Sequence, residues 1–212
     1  MEIFKEFLNN FLHLDHTISM VTAHWGGWTY ALVFIIIFCE TGLVVTPFLP
    51  GDSLLFVLGA LAAGGALNLT LLIIVLSAAA VGGNIANYSI GVLLAQRVVN
   101  RQHIPFVKQA YIQRTHEFFE KYGAKTIVIT RFVPIIRTFA PFLAGVGSMP
   151  YGKFTTYNTV GGVLWVLVGV LSGYFFGNLP LVQKNFSLVI LMIVFISLIP
   201  AALEFIKHKQ SR

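Results

Sequence analysis

The chain has 212 residues, of which 57% are hydrophobic and only 10% charged, and its mean hydropathy is +0.81. A soluble domain carries about 25% charged residues, so composition excludes an ordinary soluble protein and points to one membrane domain. The net charge is +6, and the single cysteine, Cys39, excludes an internal disulfide and a cysteine-rich metal site.

In chain order, MEIFKEFLNNFLHL sets Ile3, Phe4, Phe7, Leu8, Phe11 and Leu12 at helical spacing. Residues 1–24 are too polar to span and predict an amphipathic helix lying in the interface. No basic leader with a small-residue cleavage site precedes the first apolar stretch, so the N-terminus is expected to be retained. His13 and His16 have a metal-like spacing, but no third ligand accompanies them, and they read as interfacial surface. A membrane domain follows over residues 25–206. A first crossing opens at Trp28 with WTYALVFIIIFC and is interrupted at Glu40. No residue between Asp52 and Arg97 is charged, which is too long for one crossing of about 20 residues. Gly64, Gly65 and Asn68 divide that run into a short returning helix and a crossing over about 71–95. These segments make a first repeat of about 28–95.

A basic helix is predicted over about 97–125, with Arg97, Arg101, Lys108, Arg114, Lys121 and Lys125 against Glu117 and Glu120, ending near Gly123. The second repeat covers about 126–179. Residues 137–150 within it are apolar yet broken by Pro141, Gly145, Gly147 and Pro150, just after Pro134. Broken backbone at membrane depth survives only where protein or a wet cavity covers it, so this segment predicts a re-entrant hairpin. A third crossing lies between Lys153 and Lys184, and a last helix covers about 185–206. The tail, residues 207–212, is basic through Lys207, Lys209 and Arg212. Bases flanking apolar segments follow the positive-inside rule, which places the basic helix and the C-terminus in the cytoplasm and rejects nucleic acid as a partner. A hairpin and two crossings between those regions satisfy that placement. The predicted fold class is an all-α polytopic membrane protein with about four transmembrane helices.

One phrase is written twice. TPFLPGDSLL, from Thr46, aligns with TRFVPIIRTF, from Thr130, so that Thr46, Phe48 and Pro50 meet Thr130, Phe132 and Pro134. Further on, NYSIG at Asn87 aligns with GYFFG at Gly173. Counted with the crossings above, the copies have opposite orientation, which predicts an inverted repeat with two opposed re-entrant hairpins. Paired broken helices at matching positions point to a transporter's central site. Pro47, Pro50, Gly51, Pro134, Pro141 and Gly145 are the expected breaks or hinges.

The two copies carry opposite charges. Glu40 and Asp52 accompany the first, Arg131 and Arg137 the second. A charge in hydrocarbon costs at least about 2.5 kcal/mol, so such residues face a cavity, a partner or a substrate. Arg131 and Arg137 are six apart, off one helical face, but Pro134 breaks the helix between them and lets both turn to one point. Two guanidinium groups make a phosphate site, because arginine offers planar bidentate donors. Two uses stay open: structural ion pairs between acids and bases, or acids that hold the arginines until a substrate or a proton displaces them. Asn84 and Asn87, three apart within a crossing, serve as interhelical hydrogen-bond glue or line the path. Trp25, Trp28 and Trp165 read as interface anchors or packing, and Gly161, Gly162, Gly169 and Gly173 as sites of close helix packing. No metal or cofactor site is expected. PGDS at Pro50 weakly resembles the Pro-Gly-x-Ser turn of integral-membrane undecaprenyl pyrophosphate phosphatases, but Leu54 and Leu55 replace their Arg-Ser, and Ser53 lacks an evident base. An enzyme is therefore not expected.

The stretches FCETGLVVTPFLPGDSLLFVLGAL, GNIANYSIG and RFVPIIRTFAPFLAGVGSMPYGKFTTYNTVGGVLW resemble the bacterial DedA family, whose core is also called the SNARE-associated or VTT domain. The resemblance runs from about Trp28 to Pro200. It implies a multi-pass inner-membrane protein with two opposed re-entrant hairpins that transports or scrambles lipids, undecaprenyl phosphate or a phospholipid, with proton-motive force as the coupling. It implies that Glu40 and Asp52 are the family's acids and Arg131 and Arg137 its bases. Many close members carry Gly-Asp where this chain has Gly83-Asn84, and Asn84 does not titrate, which weakens the case for proton coupling here. The resulting expectation is a flippase-like lipid transporter. Arg131 and Arg137 would grip the phosphate, and Glu40 and Asp52 would act as charge or proton partners. Its partners would be membrane lipids and protons, with a homo-oligomer left open. The alternatives are a membrane organiser acting through the basic helix and a polyprenyl pyrophosphate phosphatase.

Overall fold

A computed structural model describes residues 27–43, 51–99, 119, 121–177, 179, 182 and 192. The expected interfacial helix, Pro47, Pro50, most of the basic helix, the last helix and the tail lie outside the described residues. Every described element is a helix: α1 (Trp28–Gly42), α2 (Gly51–Ala63), α3 (Leu69–Val99), α4 (Thr126–Thr130), α5 (Pro134–Val146) and α6 (Tyr151–Phe176). Two of them, over Leu69–Gln96 and Tyr151–Phe176, are long and apolar enough to cross a membrane.

Local chemistry sets the helix ends. Asp52 stands in the first turn of α2, where a carboxylate complements the helix dipole. At the other end Gly65 adopts φ +79°, Ala66 N–H donates to the Leu61 carbonyl and Gly65 N–H to the Ala62 carbonyl. This double return closes the helix through a left-handed residue, which glycine adopts without a Cβ clash. Asn68 then caps α3, its Oδ1 accepting from Leu71 N–H at 3.0 Å. α5 ends the same way as α2: Met149 N–H donates to the Ala144 carbonyl and Ser148 N–H to the Gly145 carbonyl, with Ser148 at φ 57°.

Three expectations are corrected. Glu40 does not interrupt α1, which runs through it to Gly42 because the carboxylate has a buried cationic partner. At 15 residues, α1 is about 22 Å long, short of the roughly 30 Å hydrocarbon core. Nor do Pro141 and Gly145 break the second repeat. Pro141 withholds one backbone donor inside α5, yet the helix continues past Gly145 to Val146. The break falls earlier, at residues 131–133, where Val133 is extended (φ −117°, ψ 104°) as the residue before a proline must be. Pro134 then starts α5, where its fixed φ suits the first turn.

The described residues divide into two compact units, one of residues 27–35, 51–76 and 166–177, the other of residues 36–43, 77–99, 119 and 121–165. In the first, α2 lies against the C-terminal half of α6. Gly169 and Gly173 on α6 and Gly177 just past its end recur every fourth residue and face Leu55, Phe56 and Ala60, while Gly59 of α2 faces the backbone of Val170. A Cβ at Gly59 or Gly173 would fall inside the partner backbone, so small residues here set a close crossing. Gly173→Ala is expected to push these helices apart at a cost of about 1–3 kcal/mol. A thermal midpoint in detergent reads this, beside Gly152→Ala, where nothing lies within 4 Å of the new Cβ and no loss is expected.

In the second unit α3 packs on α5 with equal closeness. A Cβ on Gly145 would meet the Tyr88 carbonyl, and one on Gly91 the Phe142 carbonyl. Tyr88, Phe119, Ile127, Ala140, Ala144, Met149 and Phe154 form its apolar cluster. Tyr88 stacks on Phe154 with ring centroids 4.3 Å apart and donates its hydroxyl to the Met149 carbonyl at 2.5 Å. Leu93, Val160 and Leu164 point outward, while Glu40, Arg131, Arg137, Asn84, Asn87 and Asn158 are buried. Apolar groups outside and charges inside is the arrangement a lipid solvent selects.

Candidate functional site

The buried polar residues of the second unit converge from four helices. Arg137 sits in the first turn of α5, its own N–H donating to the Val133 carbonyl at 2.8 Å. Its Nη2 lies 2.5 Å from Glu40 Oε1 of α1, and its guanidinium stands 4.8 Å from the centre of the Trp165 ring on α6. Only 5% of Arg137 and 1% of Glu40 is exposed. A carboxylate on one side and an aromatic face on the other suit a planar cation. The low dielectric makes the attraction large, and it makes the loss of either partner costly.

Arg131 occupies the break between α4 and α5 and is 2% exposed. Its Nη2 donates to Asn158 Oδ1 of α6 at 2.5 Å and to the Ala80 carbonyl of α3 at 3.3 Å. Its Nε and Nη1 donate to no described group. Asn158 Nδ2 in turn donates to the Val81 carbonyl at 3.1 Å, which fixes the Asn158 oxygen toward Arg131. One turn along α6, Gly161 and Gly162 form the floor under the guanidinium. A Cβ at Gly161 would lie 3.1 Å from Arg131 Cδ, and one at Gly162 3.2 Å from Nη2.

Asn84 and Asn87 tie the two arginine seats together. Asn84 Nδ2 donates to Asn158 Oδ1 at 2.9 Å. Turned over, the Asn84 amide accepts from Arg131 Nη2 at 2.7 Å and donates to the Thr41 carbonyl at 3.3 Å, at the expense of facing Asn158 Oδ1 with an oxygen. Asn87 Nδ2 bridges the Thr41 carbonyl of α1, 3.1 Å, and the Thr138 carbonyl of α5, 2.9 Å. Both asparagines thus link helices. Asn87 braces the turns that carry Glu40 and Arg137, whereas Asn84 belongs to the seat of Arg131.

Of the residues singled out in the sequence, Glu40 and Arg137 meet directly, and Arg131 and Asn84 meet through Asn158. Arg131 is met by amide and carbonyl oxygens rather than by an acid among the described residues. Asp52 and Gly51 begin α2 in the other unit, and Asp52 is partly buried. Asn158 and Trp165 were not read as site residues. Asn158 carried a usable signal, being an amide inside an uncharged apolar run like Asn84. Trp165 carried none, since only its seat beneath Arg137 separates it from packing. Among the described residues no group of three His, Cys, Asp or Glu side chains comes together to hold a metal.

The VTT domain model matches residues 49–175 of the chain. The chain is 46% identical over 213 residues to Protein DedA of Escherichia coli K12, covering all of this chain and 97% of that protein. An uncharacterized membrane protein of Mycobacterium tuberculosis H37Rv is 45% identical over 171 residues, 80% of this chain and 75% of the relative. Inner membrane protein YqjA of E. coli K12 is 35% identical over 158 residues, 74% of this chain and 72% of the relative. No solved structure matches. With its all-helical build, its outward apolar faces and its buried charges, the chain belongs to the DedA family of membrane proteins, built on the VTT domain.

Proposed function

We propose that this protein is a bacterial inner-membrane transporter that moves a lipid phosphate, undecaprenyl phosphate or a phospholipid, between leaflets. The observation that carries the reading is the Glu40–Arg137 pair, buried beside Trp165 in a unit that turns Leu93, Val160 and Leu164 outward. A buried pair is weak as a stabilising device, because desolvation offsets most of its attraction. As an exchangeable pair it has a use: a phosphate replaces the Glu40 carboxylate on Arg137. The uncommitted Nε and Nη1 of Arg131 give that phosphate further donors. Protonating Glu40 removes its charge and releases Arg137, and this couples a proton to the lipid if the two states bind it differently. Asp52 is assigned the same exchange role.

Two further observations support the expected architecture. α2 and α5 have 13 residues each, both end in the same hydrogen-bonded return, and both lead into a long helix, α3 or α6. That correspondence supports reading the two halves as one unit written twice. Also, Ala124, just before α4, lines one cavity with Gly152 and Lys153 at the start of α6, which supports a chain that leaves and returns to one level around α4 and α5. At 13 residues α5 is about 20 Å long, too short to cross, which supports a re-entrant hairpin hinged at Arg131–Pro134. Transport is favoured over hydrolysis because Ser53 Oγ is buried and makes no hydrogen bond to a base among the described residues.

Proteoliposomes test the reading through the leaflet accessibility of labelled undecaprenyl phosphate and phosphatidylethanolamine, with and without a pH gradient. The wild type is expected to move at least one of them, and Arg137→Ala to stop it, without phosphate release from polyprenyl pyrophosphate. A well-folded wild type that moves neither would sink the proposal and favour an organiser acting through the basic segment.

A further inference from the structure

A second polar feature opens at the start of α6. Ala124, Gly152, Lys153, Thr156 and Tyr157 line an open cavity of about 440 Å³, within the 300–1,000 Å³ typical of small-ligand sites. Lys153, Thr156 and Tyr157 are spaced three and four apart, so they share one helix face. None of them takes part in the buried arginine network. Lys153 is exposed, and so is Lys125, next in the chain to Ala124 at the rim. No acid occurs between Glu120 and Glu204, so every charged residue of the segment that lines the cavity is basic. Thr156 Oγ1 donates to the Gly152 carbonyl at 2.9 Å, a weak local bond that its rotor exchanges for a charged acceptor.

Depth identifies the ligand. Tyr151 and Tyr157 are exposed rings at the end of an apolar 26-residue helix, with Lys153 between them. Tyrosine and lysine at a helix end mark the membrane–water interface, where lipid phosphates lie. We propose that this cavity binds the phosphate of an anionic lipid headgroup. Lys153 Nζ makes the charged contact, the Thr156 and Tyr157 hydroxyls donate, and Lys125 adds charge at the rim. The site is separate from Arg131 and Arg137 and is read by binding alone. Its failure leaves the transport reading standing, and lost transport with intact binding leaves this site standing.

The test uses the full chain in phosphatidylcholine nanodiscs doped with phosphatidic acid, with bound lipid counted by native mass spectrometry. Inorganic phosphate is titrated separately against the detergent-solubilised protein by phosphorus NMR. Lys153→Gln combined with Tyr157→Phe removes both the charged contact and one hydroxyl donor and is expected to weaken phosphatidic acid retention at least about tenfold. Lys121→Gln, which removes an equal charge outside the cavity, is expected to leave it unchanged. Both residues are exposed, so equal thermal midpoints are expected and show that the fold is kept. Retention unaffected by the double variant would overturn the site. So would an equal drop with Lys121→Gln, which would mean surface charge alone. Lys153-dependent binding of inorganic phosphate with no lipid retention would overturn the lipid assignment.

Discussion

Glu40→Ala is expected to destabilise the folded protein by about 3–5 kcal/mol, because it leaves the Arg137 guanidinium buried without its carboxylate. The measurement is the thermal midpoint and the monodisperse fraction in mild detergent. Replacing both partners, Glu40→Leu with Arg137→Met, removes the uncompensated charge and is expected to recover most of that loss, since apolar side chains of similar volume substitute well for a buried pair. Lipid movement is not expected to recover with it. This separation matters, because a single variant that unfolds reports nothing about transport. If the double variant moves lipid like the wild type, the pair is structural and the exchange model for Arg137 is wrong.

Asn158 is expected to give opposite signs in stability and transport. Asn158→Leu removes the side-chain acceptor of Arg131 and the donor to Val81, both buried. Unmade hydrogen bonds of this kind cost about 1–3 kcal/mol, more where a charge is involved. Asn158→Asp also gives up the donor to Val81, but it retains an acceptor for Arg131 and adds a negative charge beside a guanidinium that meets no acid among the described residues, a charge-assisted contact that outweighs the lost neutral one. It is expected to raise the thermal midpoint while lowering lipid movement about tenfold or more, because a permanent carboxylate outcompetes a lipid phosphate for Arg131. An Asn158→Asp protein that is more stable and equally active would show that Arg131 braces the break between α4 and α5 and does not handle substrate. Gly162→Ala offers a gentler probe of the same seat, since its Cβ would sit 3.2 Å from Arg131 Nη2 and 2.9 Å from Val81 Cγ2.

Composition and hydropathy by themselves determined the membrane class, and the low charge content made every intramembrane charge conspicuous. Glu40, Arg131 and Arg137 stood out for that reason, and the structure places all three in one buried polar region. The division at Gly64, Gly65 and Asn68 was legible too, because those residue types act through their nearest neighbours. Local pattern failed where a distant partner changed the outcome. Glu40 reads as a helix interruption until Arg137, 97 positions away, neutralises it. Pro141 and Gly145 read as breaks until α3, packed against α5 at Gly145 and Gly91, supports the helix around them. Only the tertiary structure decided which acid meets which base, because that pairing depends on contacts between segments brought together by packing. The same holds for Asn158, Gly161 and Gly162, which a hydropathy profile passes over as parts of one crossing and which the fold turns into the seat of Arg131.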